Sequence, residues 1–282
     1  EYVRFLREHK IAYAVTASTG IAATHISGMT IHSWSGIGTA RELSEAEIKN
    51  IAKTAHVAKR IRKAKVLIID EISMLDGRTL SLVETVCRVV RKTSLPFGGM
   101  QVILVGDFFQ LPPVTGRGEA PQYAFESEAW SRLMPTICYL EEQYRQEDEV
   151  YLRLLKAIRH NALEETDYET FRAQMVSEDE APLGVTRLYA HNVDVDRVNQ
   201  EELRQLPGKV MTYQMRGEGK EQLVEALKRN CLSPERLELK VGALVMFTKN
   251  NQLDGYVNGT QGVVLSFHPD TKLPIVKTKS GN

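Results

Sequence analysis

Two adjacent carboxylates, Asp70 and Glu71, come directly after the apolar run Val66–Ile69. A short β-branched run of this kind is typical of a strand that is buried on both faces of a parallel sheet. Ligands of open α/β sheets bind outside the carboxyl ends of the strands. At that position Asp70 can hold Mg²⁺ together with substrate phosphates, and Glu71 can orient or deprotonate an attacking water. The pair predicts the metal-and-base half of a nucleoside-triphosphate hydrolase, against the alternative that it only caps a turn.

A second polar group follows the apolar run Val102–Val105, within the sequence GDFFQLPP at residues 106–113. Its Gln110 can reach a terminal phosphate or the water that attacks it. The two prolines stiffen the exit from the segment. We expect Phe108 and Leu111 to pack in the core, and Gln110 to have a functional role.

A third segment, TASTGIAA at residues 16–23, follows a strand-like run, and its small residues let the backbone approach a ligand closely. The hydroxyl groups that can donate to phosphate oxygens belong to Thr16, Ser18 and Thr19. His32 and Trp34 lie where a single nucleic-acid strand could pass, and stacking of a base on an aromatic ring contributes about 1–3 kcal/mol. The alternative is a tight strand-to-helix turn with a satisfied histidine and a packed tryptophan.

Arg145 lies in the segment LEEQYRQ, residues 140–146, where the composition of the chain changes. An arginine at a domain boundary can reach across a cleft to a transferring phosphoryl group, as an arginine finger does. An ordinary surface arginine is the alternative, and the position of Arg145 favours the functional interpretation.

Strand-like runs alternate with helical patterns over the first half of the chain, which indicates right-handed crossovers and a parallel sheet. The predicted strands are Ile11–Thr16, Val66–Asp70, Val102–Asp107 and Thr136–Leu140, and the predicted helices are Ile48–Ile61 and Leu80–Val90. After about Leu140 the pattern predicts a second α/β unit. Its predicted elements are a helix over Val150–Ile158 and strands over Thr186–Ala190, Leu244–Lys249 and Gln261–Phe267.

The chain has 282 residues, 43% of them hydrophobic, and a formal net charge of zero. This length suggests about two domains, each able to form a core. The segment from Ile48 to Lys65 carries seven Lys or Arg and no acid, which can guide a polyanion or be a solvated helix face. The three widely spaced cysteines indicate buried reduced thiols in an intracellular protein. We expect the protein to be nuclear or mitochondrial if the source is eukaryotic.

In their order along the chain, these segments resemble the Pif-type (petite integration frequency) DNA helicases of superfamily one, the branch that moves 5′→3′. The matching text is VTASTGIAATHISGMTIHSWSGIG, KVLIIDEISMLDG, PFGGMQVILVGDFFQLPPV and LEEQYRQ, and then LELKVGALVMFTKN and VNGTQGVVLSF. The likeness covers nearly the whole chain. The order of the segments is specific, although each segment alone is a weak signal.

The resemblance implies an α/β fold with two RecA-like P-loop NTPase motor domains, each a parallel sheet flanked by helices, over residues 1–139 and 140–282. It implies that ATP and Mg²⁺ bind, that the motor is a monomer away from any membrane, and that its partners are single-stranded DNA and duplex or structured DNA. It assigns Mg²⁺ coordination to Asp70, the catalytic base to Glu71, the γ-phosphate sensor to Gln110 and the arginine finger to Arg145. The DNA-binding residues that it implies are Thr16, Ser18, Thr19, Gly20, His32, Trp34, Asn258 and Gly259.

The sequence departs from this family at the phosphate loop, G-x-x-x-x-G-K-[ST], which it does not contain. Lys220 is followed by Glu221, and Gln214 stands six positions before Lys220. We expect the loop to precede Glu1 and the last motif to follow Asn282. We also expect the 282-residue segment alone to hydrolyse no ATP, because Asp70 binds Mg²⁺ weakly without substrate phosphates. The alternatives are the helicase segment of a rolling-circle transposon replicase and a catalytically dead DNA-binding remnant.

Overall fold

The computed structural model describes residues 1–26, 28–115, 119–177, 180, 185–189, 192–219, 221, 224–225, 228, 231, 233–248, 251, 256 and 259–278. The chain divides into two compact units, Glu1–Phe171 and Arg172–Asn282. The motor-domain boundary predicted between residues 139 and 140 stays a prediction, since the first compact unit extends about thirty residues beyond it. Among the described residues, no helix has the length and apolar character needed to cross a bilayer.

A parallel four-stranded sheet forms the centre of the first unit, in the order β2-β1-β3-β4. Its strands are β1 (Tyr13–Ala17), β2 (Met29–Thr30), β3 (Val66–Asp70) and β4 (Gln101–Leu104). The central strand β3 has the predicted bounds, and it is buried on both faces. Leu67 and Ile69 belong to the core on one face, whereas Val66 and Ile68 pack on the other. The predicted fold class, an α/β protein with a parallel sheet flanked by helices, is confirmed for this unit.

Nine helices accompany this sheet among the residues described up to position 173. They are α1 (Tyr2–Glu8), α2 (Gly20–His25), α3 (Ile31–Ser35), α4 (Glu45–Lys53), α5 (Ala55–Lys63), α6 (Gly77–Arg91), α7 (Glu128–Leu133), α8 (Glu149–Arg159) and α9 (Glu165–Ala173). Three short 3₁₀ helices cover Ile72–Met74, Pro96–Gly99 and Ala124–Glu126. The larger core lies between the sheet and helices α3 to α7, and a smaller one forms around Leu6 of α1.

In the first unit, three predicted elements differ clearly from the observed ones. The helix predicted over Ile48–Ile61 is two helices, because the extended backbone of Thr54 ends α4 and begins α5. The predicted strand Val102–Asp107 already ends at Leu104, so that Asp107 lies in a loop. The strand predicted over Thr136–Leu140 is wrong. No described strand pairs with it, and its Leu140 is 94% exposed.

The second unit has one helix and five strands whose bounds lie within its described residues. They are α10 (Asn192–Gln205), β5 (Met211–Gln214), β6 (Arg236–Leu239), β7 (Leu244–Met246), β8 (Gln261–Phe267) and β9 (Pro274–Thr278). The strands pair antiparallel in two sheets, β5-β6 and β7-β8-β9. The predictions for β8 and for the helix now named α8 are confirmed. Residues 186–189 form no strand, and Ala190 lies outside the described residues.

Candidate functional site

Asp70 lies at the carboxyl edge of the sheet, opposite Ala17 of β1 in the parallel register. Its carbonyl oxygen accepts a hydrogen bond from the Ser18 amide at 3.1 Å, and its Oδ1 accepts one from the Glu71 amide at 3.0 Å. Among the described residues, no hydrogen-bond donor contacts Asp70 Oδ2. A single carboxylate suits Mg²⁺, which takes its remaining ligands from water and substrate phosphates. The described residues accordingly form no metal site of three or more His, Cys, Asp or Glu.

Glu71 adopts a left-handed backbone conformation, with φ 53° and ψ 46°. For a residue with a Cβ this conformation costs roughly 1–2 kcal/mol, and such strain concentrates at functional sites. It turns the chain abruptly from β3 into the 3₁₀ helix Ile72–Met74 and leaves the Glu71 side chain half-buried. The Ile72 amide then donates to the Val105 carbonyl at 3.0 Å, which fixes this turn against the segment that follows β4.

Gly106 lets these two segments approach each other closely. A Cβ at this position would lie 2.9 Å from the Ile72 amide nitrogen and 3.0 Å from Ile72 Cγ2. Real side chains do not tolerate such a distance to backbone, so only glycine fits without movement. The glycine therefore brings the loop that carries Gln110 against the turn that carries Glu71.

Replacing Gly106 by alanine should destabilise the first unit, because the backbone after Glu71 must shift to admit the methyl group. We expect the free energy of unfolding to fall by about 1–3 kcal/mol, the usual cost of overpacking. Denaturant unfolding monitored by circular dichroism measures it. Gly20→Ala is the matched control, since a Cβ there meets nothing within 4 Å. Equal unfolding midpoints for the two variants would contradict the close approach.

Asp107 organises the loop after β4. Its Oδ1 accepts a hydrogen bond from the Phe109 amide at 3.1 Å, and its Oδ2 accepts one from Gln110 Nε2 at 3.4 Å. The Gln110 amide donates to the Asp107 carbonyl at 2.9 Å. Gln110 is exposed in the loop that follows β4, the strand that pairs with β3. Its role as a phosphate sensor stays a prediction.

The apolar residues of this loop behave differently from one another. Phe108 packs against the main core and meets the rings of Tyr123, Phe125 and Trp130 edge-on, which confirms the prediction for it. Leu111 is 69% exposed, so the prediction that it packs in the core is wrong. The chain beyond Gln110 runs along the surface as a loop, which carries the leucine away from the core.

The segment after β1 only partly matches its predicted role. Thr16 is fully buried and its hydroxyl donates to the Ile68 carbonyl at 2.8 Å, so it links β1 to β3 and its side chain is not available to DNA, contrary to the prediction. Thr19 Oγ1 accepts from the Ala22 amide at 3.2 Å. Ser18 Oγ is buried and has no hydrogen-bond partner among the described residues. Gly20 is exposed at the start of α2.

Trp34 also differs from its prediction. It is only 3% exposed and lies in the main core, so it cannot stack on a base in this structure. Arg60 holds the α3 backbone in place by donating to the carbonyl oxygens of Trp34, at 2.6 Å, and Ser33. His32 is half-buried, and burial lowers its pKa against the opposing effect of Asp76. His32 is therefore neutral near pH 7 and can offer DNA a hydrogen bond but no charge.

The remaining predicted residues are Arg145, Asn258 and Gly259. Arg145 is exposed in the irregular segment between α7 and α8. Gly259 is described, with φ 88° and open space around its α-carbon. Asn258 lies outside the described residues. The roles of Arg145 and Gly259 stay predictions.

Arg159, which the sequence analysis did not single out, contacts the candidate site. It is the last residue of α8, and its Nη1 donates to Asp107 Oδ2. Its guanidinium carbon lies 4.7 Å from the centroid of the Phe109 ring. The hydrogen bond from Arg159 lowers the pKa of Asp107. The sequence shows only that Arg159 ends an amphipathic helix. That pattern does not identify Asp107, 52 residues away, as its partner.

Comparison with known proteins gives two matches to family models. A model described as PIF1-like helicase matches residues 1–163, and one described as DNA helicase Pif1, 2B domain matches residues 222–267. The second match covers the two late segments, residues 237–250 and 257–267, that the sequence analysis assigns to the second motor domain. The extent of that domain, residues 140–282, stays a prediction.

Individual relatives match nearly the whole chain. It is 43% identical to the ATP-dependent DNA helicase Pif1 of Psychrobacter sp. (strain PRwf-1) over 285 residues, 95% of this chain and 42% of that protein. The crystal structure of Pif1 helicase from Candida albicans matches with a TM-score of 0.78 at 36% identity, over 96% of this chain and 62% of that one. A Bacteroides Pif1 helicase in complex with ADP-AlF3 and ssDNA matches with a TM-score of 0.62 at 26% identity, over 96% and 63%. The chain thus spans about two fifths of the length of the curated relative.

Proposed function

The chain belongs to the PIF1-like helicase family, and we propose that it acts as the ATP-driven motor of a DNA helicase that moves 5′→3′ along single-stranded DNA and unwinds duplex or structured DNA. The observation that carries the proposal is the juxtaposition at one edge of the sheet. Asp70 ends β3 and Glu71 follows it, and the Asp107–Gln110 loop follows the neighbouring strand β4. Because Gly106 has no side chain, that loop packs closely against the turn after Glu71.

In this proposal ATP is the substrate, and Asp70 would hold Mg²⁺ through its side-chain carboxylate. The ion, when bound, neutralises charge on the phosphates. Glu71 accepts the proton of the water that attacks the terminal phosphate, since its half-buried carboxylate lies next to the metal ligand. Gln110 orients that water or the phosphate through its side-chain amide. The strained turn at Glu71 fixes the direction of the carboxylate.

Single-stranded DNA is the proposed track. The segment after β1 supports this assignment at Gly20, which is exposed at the start of α2 with open space where a Cβ would lie. A Bacteroides relative of similar fold has been solved with ssDNA. The relatives named above are ATP-dependent helicases, and the common edge of Asp70, Glu71 and Gln110 offers the same chemistry here.

The full-length gene product tests the proposal in two measurements. ATP turnover should rise when single-stranded DNA is added, and a duplex with a 5′ overhang should be unwound in preference to one with a 3′ overhang. The affinity for a labelled oligonucleotide should fall with salt, with a log–log slope of about −0.7 for each phosphate contacted. DNA binding without turnover would identify a catalytically dead remnant. An ATP turnover rate that does not change when DNA is added would indicate a P-loop ATPase that does not act on DNA.

A further inference from the structure

Arg159 and Asp107 form an ion pair that joins helix α8 to the loop after β4. Both residues belong to the first compact unit. The Arg159 side chain is 45% exposed and that of Asp107 is 23% exposed. A partly exposed ion pair of this kind adds little stability by itself. The pair matters because the Asp107 carboxylate also accepts hydrogen bonds from Gln110 and Phe109.

The same carboxylate fixes the position of Gln110. Asp107 Oδ2 accepts hydrogen bonds from both Arg159 Nη1 and Gln110 Nε2, and Oδ1 accepts one from the Phe109 amide. The Arg159 guanidinium also lies over the ring of Phe109, a residue that remains 75% exposed. Arg159 thus contacts two successive parts of the turn that ends in Gln110.

This arrangement lets Gln110 change partners without leaving a carboxylate unpaired. If the Gln110 amide turns from Asp107 toward a phosphate or a water, Oδ2 keeps its charge-assisted bond to Arg159. The turn itself persists, because the Phe109 and Gln110 amides still donate to Asp107. On its other side the loop rests against the backbone after Glu71 at Gly106. Arg159 and Gly106 therefore hold the loop from two directions.

We propose that Arg159 is a positioning residue for ATP hydrolysis, which holds the Asp107 carboxylate and thereby sets Gln110 at the distance and angle that it needs. The inference rests on the proposed function, since it concerns the same site. It adds a link that the motifs do not contain. Through Asp107 Oδ2, which accepts hydrogen bonds from both Arg159 and Gln110, the position of helix α8 and the conformation of the Gln110 loop depend on each other.

The test compares Arg159→Ala with Arg153→Ala in the full-length gene product. Arg153 lies on the same helix, has a similarly exposed side chain, and forms an ion pair at 2.6 Å with Asp167, whose side chain is buried. We expect Arg159→Ala to lower kcat for ATP about 10- to 100-fold, the usual cost of a misplaced catalytic group, with KM nearly unchanged. Arg153→Ala should leave kcat unchanged. Arg159→Lys should recover part of the loss, because lysine keeps the charge but not the planar fork.

A double-mutant cycle separates positioning from a general effect. In the Asp107→Ala background, Arg159→Ala should cause little further loss, because its partner is already gone. Additive losses, or an unchanged kcat in Arg159→Ala, would overturn the proposal.

Hydrogen exchange supplies a readout that does not depend on activity. The Phe109 and Gln110 amides should exchange faster in Arg159→Ala than in Arg153→Ala, since both donate to Asp107. Equal exchange in the two variants would refute the positioning role even if the protein hydrolyses ATP. Faster exchange in a protein with no ATPase activity would instead confirm the contact and count against the proposed function.

Discussion

Replacing Glu71 by glutamine in the full-length gene product should lower ATP turnover by about 10²–10⁴-fold, the contribution of a general base. Glutamine has nearly the same shape as glutamate but cannot accept the proton of the attacking water. The affinity for ATP should change little, because Asp70 and not Glu71 is the predicted metal ligand. The affinity for single-stranded DNA should also be preserved. Steady-state turnover and equilibrium binding, measured on one preparation, separate the two effects.

The backbone at Glu71 adds a stability readout to this experiment. Since φ is 53°, a glycine at this position would relieve strain that both glutamate and glutamine keep. Glu71→Gly should therefore be at least as stable as the parent while losing turnover, and Glu71→Gln should keep the parent's melting temperature. Glu45→Gln, which removes an exposed carboxylate from α4, controls for loss of charge. Near-normal hydrolysis by Glu71→Gln would exclude Glu71 as the base.

The parts of the fold that follow from local patterns were predictable from the sequence. The strand β3 has no polar residue before Asp70. Its burial on both faces and its end at the carboxylates can therefore both be predicted from the sequence. The strand β8 and the helix α8 likewise carry their own pattern. Apolar character alone fails at Thr136–Leu140, where the structure supplies no neighbouring strand and the side chains stay in solvent.

Side-chain roles were less predictable, because burial depends on contacts made far along the chain. Trp34 is in the core because α3 packs on α6, and Thr16 is buried because β3 lies beside β1. Neither contact is visible within the segment that carries the residue. The Arg159–Asp107 pair shows the same limit, since it joins two segments that no motif connects. Local sequence thus predicts which residue types follow the strands of the sheet better than it predicts which of their side chains are exposed there.

Arg145→Ala should have the largest effect of all, a loss of about 10³–10⁵-fold in ATP turnover if this residue is an arginine finger. Arg145 is exposed in an irregular segment, and no salt bridge of its side chain occurs among the described residues. Its removal should therefore leave the melting temperature unchanged, because an exposed side chain without partners contributes little to folding. Single-turnover hydrolysis with saturating ATP and DNA measures the chemical step directly.

Two further variants make the assignment of Arg145 specific. Arg145→Lys should stay severely impaired, because an ammonium group cannot present the planar, bidentate fork of a guanidinium. Arg7→Ala, at an exposed arginine in the last turn of α1, should hydrolyse ATP at the parental rate. If Arg145→Ala and Arg7→Ala behave alike, the exposed arginine is an ordinary surface residue. The charge that stabilises the transferring phosphoryl group must then come from elsewhere, and Arg159, already at the loop that carries Gln110, becomes the first arginine to examine.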